Sequence, residues 1–267
     1  MITIKSSREI ELMRVSGKIT ARTLTMLMKT VKAGMTTAEV DRLAEESIRS
    51  MGGVPTFIGY HGYAHTICAS VNEEVVHGIP GSRVLKDGDL LSIDIGTTLN
   101  GYVSDSAVTI PIGNVSEAAE RLMRVTQECL MLAIAQMQAG NRLGDIGHAV
   151  QAHAEGNGYG VVRQLVGHGI GTKMHEEPQV PNYGSPGHGT LLRPGLVLAI
   201  EPMITEGTYN VETLDDGWTV VTEDGKLAAH FEHTIAVTSE GPRILTLRDF
   251  GEHSDVNRFR PKEEQAA

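Results

Sequence analysis

The sequence is poor in features that mark several specialised classes of protein. Only two of its 267 residues are cysteines, Cys68 and Cys129, which is too few for a disulfide framework. Basic residues are outnumbered by acidic ones, 23 to 33, and the net charge is −10. The chain therefore lacks the basic surface that nucleic acids and anionic membranes attract, and neither is expected as a partner.

Signals for membrane insertion and secretion are also missing. No apolar run reaches the roughly 18 residues that a membrane-spanning helix needs. The first residues, MITIKSSREIELM, are polar and include early acidic residues, unlike a secretory signal. We therefore expect a cytoplasmic protein. Hydrophobic residues make up 40% of the chain, which is enough for a substantial core.

Capping signals and glycines indicate four helices. A capping-box pattern begins at Ser6 and recurs at Thr36, and apolar residues at helical spacing follow each one. Glycines stop the later helical patterns. The predicted helices run from Ser6 to about Val31, from Thr36 to Gly52, over 117–138 and over about 143–155.

Strand-like runs follow the second and the fourth helix. This order of helices, strands, helices and strands predicts an α+β fold with two halves of similar plan. No linker-like composition divides the chain, so we expect one domain over 1–250 and a polar tail over 251–267. Residues 178–195 are predicted to form a long surface loop. The predicted strands cover 90–96, 102–110, 160–166, 196–201, 218–223 and 228–237.

Five acidic or imidazole side chains stand in β-like runs or glycine-flanked turns, where a side chain can be aimed. Such an oxygen-rich set suits hard or borderline divalent ions rather than a thiolate zinc site. Two ions held by shared carboxylates activate a water and stabilise a hydrolytic transition state. The set therefore predicts a metallohydrolase. Its members are Asp94, Asp105, His168, Glu201 and Glu232.

The two aspartates are predicted to share one face of a β-hairpin. Asn100-Gly101 is a strong signal for a two-residue hairpin turn. With that turn, Asp94 faces Ala107, and Asp105 lies two places from Ala107 on the same strand. Such diagonal neighbours are about 7–8 Å apart at Cα. Two like charges on a half-buried sheet repel each other, and a bound metal is the simplest compensation.

Other histidines lack a comparable context. His188 lies in a loop rich in proline and glycine, and His148 and His153 stand five apart on a predicted helix, a poor spacing for shared ligation. We expect His188 to be structural or exposed, and His148 and His153 to be surface residues. The chain has no P-loop and no nucleophile elbow.

Five stretches of the sequence resemble a known family. In order and spacing they are similar to the signatures of short-form bacterial type I methionine aminopeptidases, in metallopeptidase family M24, and the resemblance runs over essentially the whole chain. It implies the pita-bread (creatinase/aminopeptidase) fold, an α+β fold with pseudo-twofold halves and a central antiparallel sheet around a metal centre. The stretches are GYHGYAHTICASVNEEVVHGIP, SIDIGTTLNGYVSDSAVT, GHGIGTKMHEEPQVPNY, LAIEPM and DDGWTVVTEDGKLAAHFEHT.

The resemblance implies a role for each candidate ligand. Asp94 matches the terminal carboxylate ligand of one metal ion. Asp105 and Glu232 match the carboxylates that bridge two ions, and His168 and Glu201 match ligands of the other ion. Glu201 also stands where the family's proposed proton carrier lies.

Further residues match the family's catalytic and substrate-binding positions. His77 is implied to lie near the substrate amine, and His175 to hydrogen-bond the scissile peptide. Two positions depart from the commonest pattern: Met174 stands where many relatives carry phenylalanine, and Phe57 where some carry a smaller residue. An apolar, aromatic and sulfur-containing lining suits a thioether. The implied substrate-binding residues are Tyr60, Tyr63, Cys68, His77, Met174, His175 and Trp218.

The implied activity is removal of the initiator methionine when the next residue is small. The implied cofactors are two divalent ions, and the ligand set accepts Co, Mn, Fe, Zn or Ni. The implied partner is the N-terminal peptide of nascent proteins, which suggests action near the ribosome, and we expect a monomer. Two alternatives stay open: an enzyme of the same fold that cleaves X-Pro bonds, and a non-catalytic peptide-binding module built on this fold.

Overall fold

The four predicted helices are present in the computed structural model of the chain, which describes residues 2–248. Both capping boxes form: the hydroxyls of Ser6 and Thr36 accept the backbone N–H three residues on, and the glutamates there accept the N–H of the cap. No helix in this part of the chain is long and apolar enough to span a bilayer. The helices are α1 (Ser7–Thr30), α2 (Thr37–Ser50), α3 (Glu117–Ala135) and α4 (Leu143–Gly156).

The strands are mostly short, and two long ones form the central hairpin. Their bounds are β1 (Val54–Pro55), β2 (Ile67–Val71), β3 (Glu74–Val76), β4 (Leu90–Leu99), β5 (Tyr102–Pro111), β6 (Gly160–Val161), β7 (Gly167–Gly169), β8 (Glu176–Val180), β9 (Val197–Ile200), β10 (Met203–Thr205), β11 (Val211–Thr213), β12 (Val220–Thr222), β13 (Ala228–His230), β14 (His233–Thr238) and β15 (Gly241–Ile244).

The β4–β5 hairpin forms with the predicted turn and register. Asn100 and Gly101 have φ of 51° and 80°, as a type I′ turn requires at both central residues. Asp94 lies opposite Ala107, so Asp105 shares its face of the sheet as expected. The other edge of β4 pairs with β1 and β2, and α1 packs against both strands of the hairpin. The first half of the fold is thus a helix-backed antiparallel sheet.

The second half follows the same plan. The helices α3 and α4 pack against each other, and the largest sheet has the strand order β15-β14-β9-β7-β8 with all pairs antiparallel. Two three-stranded sheets, β13-β10-β6 and β11-β12-β3, complete the architecture. The predicted α+β fold is confirmed.

Threonine hydroxyls join the two halves along β5. Thr109 Oγ1 accepts the backbone N–H of His230 at 2.8 Å and lies 2.9 Å from its carbonyl oxygen, to which it can donate. Thr234 Oγ1 accepts the N–H of Asp105 at 3.0 Å and donates to its carbonyl at 2.8 Å. The segment from His230 to Thr234 is therefore held against the strand that carries Asp105.

One predicted strand, 228–237, was wrong because it is two strands in different sheets. The break falls at Phe231 and Glu232, between β13 and β14. There the N–H of Glu232 donates to the carbonyl of Ala107 at 2.9 Å and leaves the ladder of β13. The chain crosses between sheets at the residue whose side chain was proposed as a ligand.

Other strand and loop boundaries also differ from the prediction: β4 runs on to Leu99, for example. The predicted strand 160–166 stops at Val161, because exposed Arg163 and its exposed neighbour Gln164 interrupt the apolar run before β7. The predicted strand 218–223 contracts to β12. The predicted loop 178–195 begins inside β8 and is irregular only after that strand ends.

A buried ion pair fastens the N-terminal segment to the first residue of β8. Lys5 Nζ lies 2.7 Å from Glu176 Oε2, and the two side chains are only 3% and 10% exposed. The other oxygen of Glu176 accepts the backbone N–H groups of Thr172 and Lys173 at 3.0 and 3.3 Å. Because a buried charge is costly without its partner, this pair holds residues 172–176 in one arrangement.

Replacing Lys5 by methionine is expected to lower the free energy of unfolding by about 3–5 kcal/mol, because Glu176 stays buried without a counter-charge. The matched control is Arg42→Met, which breaks the Arg42–Glu46 pair of the same 2.7 Å length whose side chains are both 60% exposed. That loss should be about 1 kcal/mol or less. Urea unfolding followed by circular dichroism measures both, and equal losses would contradict the expectation.

Candidate active site

A cavity of about 200 Å³ receives residues from both halves of the fold. All twelve residues singled out from the sequence line it, together with Phe57 at the position noted as unusual. The polar members are His77, Asp94, Asp105, His168, His175, Glu201 and Glu232, and the apolar or aromatic ones are Phe57, Tyr60, Tyr63, Cys68, Met174 and Trp218.

The hairpin and the crossing segment supply three of the carboxylates. Asp94 projects from β4 and is half-buried, and Asp105 projects from β5 and is buried. Glu232 is placed by two bonds to β5, in which its N–H donates to Ala107 and its carbonyl accepts from Ser106 Oγ at 2.7 Å. The pleat of one strand therefore positions carboxylates from both halves.

Two glycines bring His168 close to its neighbours. A Cβ on Gly167 would collide with the carbonyl oxygen of Ala199 in β9, and one on Gly169 would collide with the carbonyl of Glu177 in β8. The glycines allow three strands to approach each other closely around β7, where a glycine-flanked turn had been expected.

The imidazole of His168 is oriented by its own strand. Its Nδ1 lies 2.9 Å from the carbonyl oxygen of Gly169 and donates to it, which leaves the Nε2 lone pair free. That Nε2 lies 3.8 Å from Asp105 Oδ2 and 3.6 Å from Glu201 Oε1. One ligand atom each from Asp105, His168 and Glu232 lie within 4.8 Å of one another, so they can share a metal ion.

Burial and mutual repulsion disfavour the charged forms of the four carboxylates. Burial raises the pKa of Asp94 to about 7. Burial, and then the charges of Glu232 and Asp94, raise the pKa of Asp105 well above its usual range. The pKa values of Glu201 and Glu232 are raised well above theirs by burial first and by neighbouring carboxylates second. A divalent cation would relieve this repulsion.

Carboxylate oxygens without hydrogen-bond partners also suit a bound metal ion. Among residues 2–248, Asp94 Oδ1, Asp105 Oδ1 and Glu232 Oε1 are buried without a hydrogen-bond partner. Burial, and then the nearby His175, lower the pKa of His168 to about 3, so its imidazole is neutral at ordinary pH. Bare carboxylate oxygens beside a neutral imidazole are the donors that a divalent metal ion requires.

The apolar wall is built from aromatic rings around a buried thiol. The rings of Tyr63 and Trp218 lie 4.9 Å apart at an angle of 60°. The Tyr63 hydroxyl donates to the carbonyl of Ile67 at 2.9 Å. Burial, and then the charge of Asp94, raise the pKa of the Cys68 thiol well above its usual range, so it is an uncharged part of the lining.

Two histidines face the cavity between this wall and the carboxylates. His77 follows β3 with a positive φ of 60°. Burial lowers the pKa values of both His77 and His175, so both are neutral at ordinary pH. The hydroxyl of Tyr60 lies 2.6 Å from Nδ1 of His175. If that hydroxyl donates, His175 carries its proton on Nε2.

The sequence interpretation missed two supports of the site. The first is Asp216, whose Oδ1 accepts the N–H groups of Trp218 and Thr219, each at 2.8 Å, while its Oδ2 accepts the Thr219 hydroxyl at 2.6 Å. The D-G-W spacing, typical of an aspartate-capped turn, could have indicated it. The second is His230, whose Nε2 lies 3.7 Å from Glu201 Oε2 and whose position depends on the pairing of β13 with β10.

The histidines that were set aside do not line the cavity. His148 and His188 are exposed, as expected. His153 is half-buried, and its Nε2 lies 2.8 Å from Glu128 Oε2, which links α4 to α3.

Comparison with known proteins decides the family. The family model described as "Metallopeptidase family M24" matches residues 11–239. The chain belongs to this family. A methionine aminopeptidase of Clostridium perfringens is 54% identical over 247 residues, covering 92% of this chain and 99% of the relative. Methionine aminopeptidase 1 of Bacillus subtilis is 53% identical over 246 residues, covering 92% and 99%.

Solved structures agree with this M24 assignment. The methionine aminopeptidase of Thermotoga maritima has a TM-score of 0.91 and 46% identity, and the match covers 93% of this chain and all of that one. The prolidase of Pyrococcus furiosus, at 22% identity and a TM-score of 0.76, covers 92% of this chain and 66% of its own, and shares the fold alone. The M24 chain is therefore a metallo-aminopeptidase of the bacterial methionine aminopeptidase type, with the pita-bread fold, and it uses divalent metal.

The buried carboxylates make the metal-free protein sensitive to pH. Asp94 has a pKa of about 7 in the fold and about 3.9 in an unfolded chain. Between these values the folded state holds a proton that the unfolded state has released. This stability is fully present below about pH 4 and is lost as the pH rises through about 7.

In EDTA, the wild type should therefore lose stability relative to Asp94→Asn as the pH rises. The difference between their free energies of unfolding should fall by a few kcal/mol between about pH 4 and pH 7. The comparison cancels the titration of the buried histidines, because both proteins carry them. Adding MnCl2 should raise the thermal midpoint of the wild type more at about pH 7.5 than at about pH 5, because the ligands bind metal only when ionised. A difference that stays constant or rises with pH would refute the assignment.

Proposed function

We propose that this enzyme removes the N-terminal methionine from newly made proteins when the second residue is small, using two divalent metal ions. One observation carries the proposal: a cavity with an apolar, aromatic and thiol-containing wall is also lined by the five candidate metal ligands. Such a wall suits a thioether side chain. Relatives named methionine aminopeptidases support the assignment of the substrate.

The five candidate ligands would hold both ions, with Asp105 and Glu232 shared between them. When bound, the ions would polarise the scissile carbonyl and activate a water for attack. The ligand set accepts Co, Mn, Fe, Zn or Ni, and supply in the cell would select among them. The full set is Asp94, Asp105, His168, Glu201 and Glu232.

Glu201 would move the proton. Its side chain stands beside His168 at the polar end of the cavity, and burial raises its pKa well above the usual range. A carboxyl of raised pKa can take a proton from the attacking water and release it to the departing amide nitrogen. The amine product would then leave in a neutral form.

His175 and His77 would orient the substrate. With the Tyr60 hydroxyl donating to Nδ1, the Nε2–H of His175 points a hydrogen bond at the scissile carbonyl oxygen and stabilises charge there. His77, neutral and largely buried, would accept from the substrate amine. The methionine side chain would lie against Tyr63, Cys68 and Trp218.

The setting of the reaction is part of the same proposal. The enzyme would act as a monomer. We propose a single catalytic domain over 1–250, with 251–267 outside the described residues, acting in the cytoplasm near the ribosome on nascent chains. The preference for a small second residue rests on the likeness to methionine aminopeptidases.

Replacing Asp105 by alanine should reduce methionine release from Met-Ala-Ser by about three orders of magnitude or more, because a ligand shared by both ions is lost. Asp87→Ala, which changes an exposed turn residue, is the control and should keep wild-type activity. An Xaa-Pro peptide tested in parallel should not be cleaved. Wild-type activity in Asp105→Ala, or preferred cleavage of the Xaa-Pro bond, would reject the proposal.

Replacing Asp216 by alanine should raise KM for Met-Ala-Ser several-fold with a smaller change in kcat, because the Trp218 turn loosens and binding of the methionine side chain weakens. The matched control is Asp224→Ala. Asp224 caps a neighbouring turn by accepting the N–H groups of Thr208 and Lys226, at 2.8 and 3.2 Å, and does not line the cavity. Steady-state kinetics distinguish the two, and an equal rise in KM would contradict the role of Asp216.

A further inference from the structure

His230 has a buried ring nitrogen that the proposed reaction does not use. The residue is 1% exposed, and among residues 2–248 its Nε2 has no hydrogen-bond partner. Buried polar atoms in folded proteins are almost always hydrogen-bonded, because leaving one unpaired is costly. The direction in which this nitrogen points therefore needs a physical reason.

The backbone fixes that direction. His230 ends β13 and pairs with Met203 of β10, which follows Glu201 by two residues. Both of its main-chain groups are bonded to the hydroxyl of Thr109 on β5. The bonds to β10 and to Thr109 of β5 fix the backbone of His230. Its side chain then lies near Glu201, which directly follows β9.

The carboxylate of Glu201 lies between two imidazoles. Its Oε1 is 3.6 Å from Nε2 of His168, and its Oε2 is 3.7 Å from Nε2 of His230. The second distance is slightly longer than a hydrogen bond, as is common for catalytic contacts before substrate is bound. His230 is outside the group of Asp105, His168 and Glu232 that can share one ion, and it lies near the other oxygen of Glu201 from His168.

We propose that His230 is a positioning residue for Glu201: its imidazole donates Nε2–H to Oε2 and so directs Oε1 toward His168 and the metal site. The proposal deepens the proposed function and rests on it for the role of Glu201. Holding one oxygen fixes the rotation of the carboxyl about its last bond. Oε1 is then always the oxygen that faces the metal site, and Oε2 is always the oxygen held by His230.

The first test compares His230→Leu, which removes the donor, with His230→Gln, which keeps an amide donor at similar reach. Isothermal titration of MnCl2 into metal-stripped protein should show a roughly tenfold or greater loss of affinity for His230→Leu. His230→Gln should stay within about threefold of the wild type, and kcat for Met-Ala-Ser should follow the same order with little change in KM. Wild-type affinity in His230→Leu, or equal losses in both variants, would overturn the proposal.

Ile204→Val is the matched control for a loosened core. Ile204 is fully buried in β10, next to Met203, which pairs with His230. Ile204 does not line the cavity. This variant should lower the thermal midpoint and leave Mn²⁺ affinity unchanged. A loss of affinity equal to that of His230→Leu would show that packing alone explains the result.

The second test needs no variant and so does not depend on folding. Long-range ¹H–¹⁵N correlation spectra of the zinc-loaded protein report which ring nitrogen of His230 carries the proton. The Nε2–H tautomer is expected, and the Nδ1–H tautomer would overturn the proposal because the donor would point away from Glu201. Neither the titration nor the spectrum involves a peptide, so failure to cleave Met-Ala-Ser would reject the proposed function alone.

Discussion

The burial of four carboxylates in one cluster is the interaction on which the rest of the structure depends. Each raises the cost of charging the others, and burial raises it further, as the shift of the Asp94 pKa to about 7 reflects. Such a cluster persists only if the surrounding backbone gives it no alternative. The fold meets this demand by placing Asp94 and Asp105 on strands and Glu201 and Glu232 directly beside strand ends. Hydroxyl bonds then fasten one half to the other.

Strand β5 is the element that brings the carboxylates of the two halves together. It carries Asp105, pairs with the strand of Asp94, and receives Glu232 and Thr234 from the other half. The apolar wall is supported differently, by capped turns such as the one at Asp216. The M24 fold is shared with prolidases at low identity. The carboxylates thus stand on or directly beside the sheets, and Trp218 of the apolar wall stands on a turn.

The site was largely predictable because its ligands stand in short, distinctive contexts. The Asn100-Gly101 turn alone fixes the register that puts Asp94 and Asp105 on one face, and the capping boxes fix where the first two helices begin. The strand broken at Glu232 was not predictable, because its cause is the carbonyl of Ala107, more than a hundred residues away. Periodicity is local and cannot report such a partner.

The hydroxyl bonds along β5 link residues 121 to 129 positions apart in the chain. Contacts of such long sequence separation form late, because closing the intervening loop is costly in entropy. An unfinished copy of this enzyme therefore has no working centre until β14 has been synthesised and has docked. A fragment that stops short of it loses catalysis outright, and hydrolytic activity measures how much of the population has reached the complete fold.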